Sequence, residues 1–242
     1  MHQNRHFVIN GPLIDDLAIL AAFDAFGRGD VIVEMDWCIG KVLDRLESLG
    51  LKDNTLVIFS SDNGPVLNDG YKDQAVEFNG DHRMAGPLRG GKYSLFEGGT
   101  RVPFIVRWPA QIQPGETDAL FNQVDLYHSF AQIVNQPLDS AEAPDSQALL
   151  ETLTGRDTHG RDSMVLEGMQ YKKVFRDQRY AYIPPHDDDF VCQYTGNEKG
   201  NLSKPQLFDL HDDVGQVVNL AEQMPEKVAE LEEKLQDVIN SE

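Results

Sequence analysis

The chain has little cysteine and little positive charge. Its 242 residues include two cysteines, Cys38 and Cys192, which are too few for a disulfide framework. It carries 21 Lys and Arg against 40 Asp and Glu, for a formal net charge of −19 at pH 7. This acidity excludes a general nucleic-acid-binding surface, and it would repel sulfated polymers at long range.

Long apolar runs and targeting signals are also lacking. No hydrophobic segment is long enough to cross a bilayer, so no membrane span is predicted. The first residues show neither the charged n-region nor the apolar h-region of a signal peptide, so none is expected in this sequence. Hydrophobic residues nevertheless make up 40% of the chain. That content is sufficient for a core in one large or two small domains.

A candidate metal site follows the first clear strand signal. Residues 55–60 form a β-branched and aromatic run that predicts a buried strand, and Asp62 and Asn63 come directly after it. Ligands of open α/β sheets bind beyond the carboxyl ends of strands, where these side chains fall. A carboxylate beside a carboxamide suits a hard cation such as calcium. The alternative is a hairpin turn at Asn63-Gly64, although a polar loop follows instead of a second alternating strand.

A candidate anion site lies in the glycine-dense residues 88–103. Residues 82–101 contain one acidic residue, Glu97, and four basic residues: Arg83, Arg89, Lys92 and Arg101. Glycines allow backbone N–H groups to approach an anion, and lysine supplies a point charge. The alternative is a surface loop with scattered basic residues. A cation site and an anion site one loop apart favour an enzyme that acts on an anionic ester.

Three segments, in order, resemble the later half of a type I sulfatase. They are residues 29–37 (GDVIVEMDW), residues 61–65 (SDNGP), and residues 91–92 (GK) with 96–103 (FEGGTRVP). Type I sulfatases are the formylglycine-dependent arylsulfatases of the alkaline-phosphatase superfamily. The similarity runs from residue 28 or so to residue 137, and residues 206–210 with 219–220 resemble the family's C-terminal ending. The match implies an α/β fold and hydrolysis of a sulfate ester.

The resemblance implies roles for individual residues. Asp62 and Asn63 match a pair of calcium ligands of the family. Lys92 matches the catalytic lysine that holds the substrate sulfate. Glu97 and Arg101 match positions that we interpret as structural, ordering the loop by pairing with each other.

Three further residues are candidates for contact with the substrate. His2, with Arg5, resembles a His-x-Pro-Arg segment whose histidine contacts the sulfate, although Asn4 stands in place of the proline. The alternative for His2 is a terminal histidine without a role. His82 and Tyr71 lie between the metal and lysine motifs, where the family varies its loops to choose substrates. Both are therefore candidates for lining the pocket.

The family's nucleophile is not found in this sequence. It is a cysteine in a Cys-x-Pro/Ala-x-Arg segment that is oxidised to formylglycine, and neither Cys38 nor Cys192 has the downstream arginine. Cys38 falls on an apolar helical face, which predicts a packed, unreactive thiol. The family's first Asp-Asp metal pair is also absent. We therefore expect the chain to be catalytically incomplete alone, a fragment whose partner is the missing N-terminal half.

Other functions remain open at this point. Within the sulfatase hypothesis the partner is a small sulfated substrate, and aryl sulfates, choline sulfate and sulfated sugars are all compatible. A second hypothesis is a non-catalytic calcium- or anion-binding remnant. A third is phosphodiester or phosphonate hydrolysis, which is disfavoured because such members usually carry histidines where this chain has Asn63 and Lys92. The family implies a periplasmic or extracellular location.

The patterns predict two domains joined by a linker. Residues 1–137 form the first, in which a helix from Val31 to Leu49 ends at Gly50, strands span 55–60 and 102–108, and a helix spans 124–134. This order fits part of an alkaline-phosphatase-like α/β/α sandwich.

The second domain follows a shift in composition. Residues 138–162 are rich in Asp, Ser, Ala and Gly and are predicted to be a linker. Residues 163–242 are predicted to form a small antiparallel sheet, from runs at 163–167, 179–183 and 206–210. A terminal amphipathic helix begins at Pro225.

Overall fold

The computed structural model describes residues 6–8, 28–72 and 74–241. Its first sheet contains β1 (His6–Val8), β2 (Val57–Ser60), β3 (Phe104–Arg107) and β4 (Gly115–Thr117). The strand order is β2-β3-β1-β4. β3 runs parallel to β1 and antiparallel to β2, with Ser60 opposite Phe104. The strands predicted at 55–60 and 102–108 are confirmed, each shorter than predicted.

The helices that the structure describes vary widely in length. They are α1 (Arg28–Ser48), α2 (Ala75–Phe78), α3 (Glu97–Thr100), α4 (Leu126–Ile133), α5 (Leu150–Leu153) and α6 (Pro225–Asn240). Short 3₁₀ turns occur at Lys52–Asn54, Gln123–Asp125, Ser140–Glu142 and Met169–Tyr171. No helix in the described ranges combines the length and apolar character that a bilayer crossing requires.

α1 confirms the predicted helical period and its stop signal. Gly50 follows it with φ +68°, the left-handed conformation that ends many helices, and its N–H donates to the carbonyl of Glu47 over 2.9 Å. The prediction of a packed thiol is wrong, because Cys38 is exposed. Several apolar side chains of the helix are exposed too: Val31, Ile32, Met35, Trp37 and Val42. Ile39, Leu43 and Leu46, which belong to the same predicted apolar stripe, are half-buried, so the stripe is only partly covered within the described residues.

The second sheet is antiparallel throughout. Its strands β5 (Ser163–Glu167), β6 (Lys173–Asp177), β7 (Tyr180–Ile183) and β8 (Gln206–Asp209) pair in chain order. α6 packs on one face through the fully buried Leu231 and Leu235. The predicted sheet with a terminal helix is thereby confirmed.

The sequence patterns did not reveal β6. Val174, Phe175 and Arg176 are all buried, so this central strand shows no polar–apolar alternation. Phe175 packs towards α6, whereas Val174 belongs to a cluster on the opposite face. A strand covered on both faces cannot be recognised by a period of two.

The core of the second sheet also holds the glycine-rich segment of residues 88–103. Leu95 and Phe96 are buried in one cluster with Phe208 and other residues of that sheet. The rings of Phe96 and Phe208 meet edge to face, with their centroids 5.8 Å apart. The segment that contains Lys92 is therefore anchored in the C-terminal sheet while it lies next to the first sheet.

Candidate active site

The antiparallel pairing of β2 and β3 places the two candidate segments together. Ser60 ends β2 opposite Phe104, which begins β3. Asp62 and Asn63 follow β2, and the glycine-rich segment leads into β3, so both lie at one edge of the sheet. In the described residues between Gly64 and β3 no strand follows the turn, which argues against the hairpin alternative.

Main-chain hydrogen bonds join the two candidate segments. The N–H of Gly64 donates to the carbonyl of Gly99 over 2.8 Å, and that of Lys92 donates to the carbonyl of Pro65 over 2.9 Å. A Cβ atom on Gly64 would lie 1.7 Å from the carbonyl oxygen of Gly98. Glycine is therefore required at Gly64 for close approach of two loops.

This packing corrects the predicted role of two of the glycines, Gly98 and Gly99. The N–H groups of Gly98 and Gly99 donate to the carbonyls of Arg89 and Phe96 over 2.8 Å, so they do not face an anion. Arg89 is also a structural cation, because it pairs with Glu198 at 2.5 Å. The glycine-rich pattern correctly identified a close backbone approach, but its partner is another loop.

A cavity of about 440 Å³ extends from the candidate metal ligands to the candidate sulfate lysine. Asp62, Asn63 and Lys92 all line it. Further lining residues include Phe104 of the first sheet, Glu167 and Arg176 of the second sheet, and Tyr93, Arg101, Gln123 and Gly168 outside the strands. His82 and Tyr71 are exposed and are not among its lining residues. Their contact with substrate stays a prediction, and His2 lies outside the described residues.

The side-chain oxygen atoms of Asp62 and Asn63 suit a hard cation. Nδ2 of Asn63 donates to the carbonyl of Gly64 over 3.0 Å, which leaves Oδ1 as an acceptor beside the exposed carboxylate of Asp62. Calcium takes six to eight such oxygen ligands. Within the described ranges, no group of three or more His, Cys, Asp or Glu side chains could hold a metal ion. The pair therefore fits calcium as part of a larger ligand set.

The buried carboxylate of Glu97 forms ion pairs with two arginines, Arg101 and Arg176. Its Oε1 lies 3.2 Å from Nε of Arg176, and its Oε2 lies 3.6 Å from Nη1 of Arg101. Burial lowers the pKa of Arg101, and the charge of Glu97 offsets part of that effect. The predicted pairing of Glu97 with Arg101 is confirmed. Arg176 was not predicted, because it comes from β6 and lies 79 residues further along the chain.

Three amide side chains donate or accept hydrogen bonds that hold the loops around the cavity. The sequence patterns did not predict this role for them. Nδ2 of Asn197 donates to the carbonyls of Pro65 and Lys92 over 3.4 and 3.2 Å. Oε1 of Gln216 accepts from the N–H of Glu97 over 2.6 Å, and Nε2 of Gln123 donates to the carbonyl of Ser61 over 2.7 Å. Contacts between residues so distant in sequence leave no local pattern.

The other histidine and acidic clusters lie elsewhere. His211 lies in the turn after β8. Asp188 forms ion pairs with Lys172 at 2.7 Å and Lys199 at 3.0 Å, and these lysines lower the pKa of Asp188. The acidic loop that contains Asp188 is thus held by ion pairs with two lysines.

Comparisons with known proteins agree with this geometry. Residues 27–136 match the family model described as Sulfatase. An N-acetylgalactosamine-6-O-sulfatase of Bacteroides thetaiotaomicron is 47% identical over 211 residues, covering 87% of this chain and 41% of that protein. A steryl-sulfatase of Rattus norvegicus is 37% identical, covering 76% of this chain and 35% of that protein.

A solved structure supports the same relationship. It is a Bacteroides thetaiotaomicron sulfatase from work on glycosaminoglycan metabolism, with a TM-score of 0.85 at 47% identity, covering 87% of this chain and 44% of that chain. The predicted alkaline-phosphatase-like α/β fold is thereby confirmed. The chain spans less than half the length of each of these relatives.

Proposed function

Because the chain belongs to the sulfatase family, we propose that it contributes one side of an active site that hydrolyses sulfate esters. The observation that carries this proposal is the single cavity in which Asp62, Asn63 and Lys92 converge. A cavity of about 440 Å³ is within the range of small-ligand sites, which favours a small sulfated substrate.

Each residue of the site has a distinct role in this proposal. Sulfatases use calcium, and here Asp62 and Asn63 would hold it. Bound calcium supplies positive charge to the sulfate oxygens. Lys92 holds the sulfate and neutralises charge that develops as the ester bond breaks. Its backbone is tied to Pro65, so the ammonium group is presented from a preorganised loop.

The proposed substrate class is a sulfated hexosamine. The support is the relative at 47% identity, which is named an N-acetylgalactosamine-6-O-sulfatase. The steryl-sulfatase is less similar, at 37%. Aryl sulfates and choline sulfate are therefore the less supported classes. Export to the periplasm or the extracellular space is part of the same proposal.

Sulfatases also use a formylglycine, which this sequence does not encode in the expected segment. Neither Cys38 nor Cys192 lies in a Cys-x-Pro/Ala-x-Arg motif. We therefore propose that the nucleophile comes from sulfatase residues outside these 242. The chain alone is then expected to release no sulfate from an ester, and measurable turnover by the purified chain would contradict this.

Complementation tests the proposal. The chain would be joined to the earlier part of the Bacteroides thetaiotaomicron relative, which is expected to carry the formylglycine, and sulfate release from N-acetylgalactosamine 6-sulfate would be measured. We expect turnover, and a loss of about 10²–10³ in rate for Lys92→Ala without loss of the fold. An unchanged rate in Lys92→Ala would show that Lys92 is not the sulfate lysine.

The calcium- or anion-binding hypothesis makes a different prediction. It is favoured by one fact, that Asp62, Asn63 and Lys92 are all present without a nucleophile motif. If it holds, calorimetry on the 242-residue chain should detect tight calcium binding that Asp62→Ala abolishes. For a sulfatase site completed by other residues, the chain alone should bind calcium weakly or not at all.

A further inference from the structure

Tyr93 occupies an unusual position next to the sulfate lysine. It lines the cavity, and its backbone is left-handed, with φ +77°. An aromatic residue in this conformation is strained, whereas glycine would adopt it freely. Strain of this kind persists only where surrounding structure enforces it, and it clusters at functional sites.

The turn between β5 and β6 enforces this conformation. The carbonyl of Tyr93 accepts a hydrogen bond of 3.2 Å from the N–H of Met169. A Cβ atom on Gly168 would lie 3.2 Å from that same carbonyl oxygen, so the turn packs tightly on Tyr93. Gly168 also lines the cavity. Gln170 and Tyr171, in the same turn, are left-handed as well.

The side chain of Tyr93 is not packed in the hydrophobic core. The residue remains 38% exposed, although its neighbours Ser94 and Leu95 are buried. Nζ of Lys92 lies 5.5 Å from the ring centroid, which is within the range of a cation–π contact. A sulfate on Nζ of Lys92 would therefore bring the organic part of the ester close to an accessible aromatic face.

We propose that Tyr93 is a specificity-determining residue, whose ring packs against the pyranose ring of a hexosamine whose sulfate is held by Lys92. This inference rests on the proposed function of Lys92. The C–H face of a pyranose is apolar and flat enough to cover an aromatic ring, and such a contact removes apolar surface from water. Inorganic sulfate has no such surface and would not use the ring.

The difference between the two ligands gives the test. The completed protein of the complementation experiment, with the formylglycine cysteine of the joined part replaced by alanine so that the ester is bound but not cleaved, would be titrated with N-acetylgalactosamine 6-sulfate and with inorganic sulfate in the presence of calcium. Binding would be followed by NMR chemical shifts. Tyr93→Gly removes the ring and suits the left-handed backbone, so the fold should be kept. Tyr93→Phe retains the ring and is the matched control.

We expect Tyr93→Gly to weaken binding of the sugar sulfate about tenfold, the range of an aromatic contact, while inorganic sulfate binds as before. Tyr93→Phe should bind both ligands like the parent chain. Equal weakening of both ligands, or no change for the sugar, would overturn the role of Tyr93. Lys92→Ala separates the two proposals, because it should abolish binding of inorganic sulfate. If the completed parent protein bound neither ligand at millimolar concentration, both proposals would be overturned.

Discussion

The backbone N–H of Lys92 donates a hydrogen bond of 2.9 Å to the carbonyl of Pro65, two residues after Asn63. Asn197 donates to that same carbonyl and to the carbonyl of Lys92. The candidate calcium ligands and the candidate sulfate lysine therefore belong to one hydrogen-bonded unit. These hydrogen bonds hold the main chain of the two segments at a fixed spacing, from which the side chains of Asn63 and Lys92 extend.

Gly64→Ala should disrupt this unit. Its Cβ would lie 1.7 Å from the carbonyl oxygen of Gly98, so the two loops must separate. We expect a loss of at least about 3 kcal/mol in the free energy of unfolding, from overpacking against backbone. Gly115→Ala is the control, because no atom of the described residues lies within 4 Å of its added Cβ, and it should change stability by about 0.5 kcal/mol or less. Similar urea midpoints for the two variants would show that the loops are not packed in this way.

Glu97→Gln should be among the most destabilising isosteric changes in the site. The side chain of Glu97 is 5% exposed, and the change leaves Arg101 and Arg176 without the buried charge between them. Removing one partner of a buried ion pair costs about 3–5 kcal/mol. The exposed pair of Glu151 and Arg156 offers the matched control, because solvent screens it, and Glu151→Gln should barely move the melting temperature. Equal shifts for both variants would contradict the assignment of a buried cluster.

Asn197 can be tested by two replacements that separate hydrogen bonding from packing. Asn197→Ala removes both donated bonds and should cost about 1–2 kcal/mol. Asn197→Asp keeps the shape but places a carboxylate against the carbonyls of Pro65 and Lys92, so it should destabilise more than Asn197→Ala. If Asn197 only filled space, the aspartate would be the milder change. Thermal melting of both variants gives the answer.

The sequence indicated the residues that line the candidate site, but few of the residues that hold its loops in place. Asp62 and Asn63 were candidates because they directly follow a strand signal, and Lys92 because it lies in a glycine-dense basic segment that resembles a sulfatase motif. Their convergence in one cavity depends on the antiparallel pairing of β2 and β3, which the sequence patterns did not predict. Arg176 and Asn197 were not predictable, because their partners lie 79 and 105 residues away and long-range polar contacts have no sequence period.

Burial of a side chain was harder to predict than secondary structure. α1 and α6 were both predicted from apolar residues at helical spacing. The stripe of α6 is buried against the second sheet, whereas Trp37 and Val42 of α1 are exposed. The same pattern therefore gave one buried stripe and one that is at most half-buried, at residues such as Leu43 and Leu46. What differs is how much of the stripe a neighbouring element covers, which the helix sequence does not encode.

His186 should make stability depend on pH in the mildly acidic range. Burial lowers the pKa of His186 below its usual 6.5, a backbone hydrogen bond at Lys173 opposes this, and the charge of Lys172 adds to it. The unfolded chain therefore takes up the imidazole proton at a higher pH than the folded chain. As the pH falls below 6.5, the unfolded state gains protons first, so the free energy of unfolding decreases until the folded-state pKa is reached.

His186→Gln isolates this contribution, since glutamine does not titrate. Urea unfolding at pH 7.5, 6.5 and 5.5 or so would be compared for the parent chain and the variant. We expect the parent chain to lose more stability than the variant between the two lower pH values, and the two curves to run parallel above pH 7. Identical slopes throughout would mean that His186 binds its proton equally well in both states. Its burial beside Lys172 would then have no energetic consequence, because a desolvated imidazole near a cation must resist protonation.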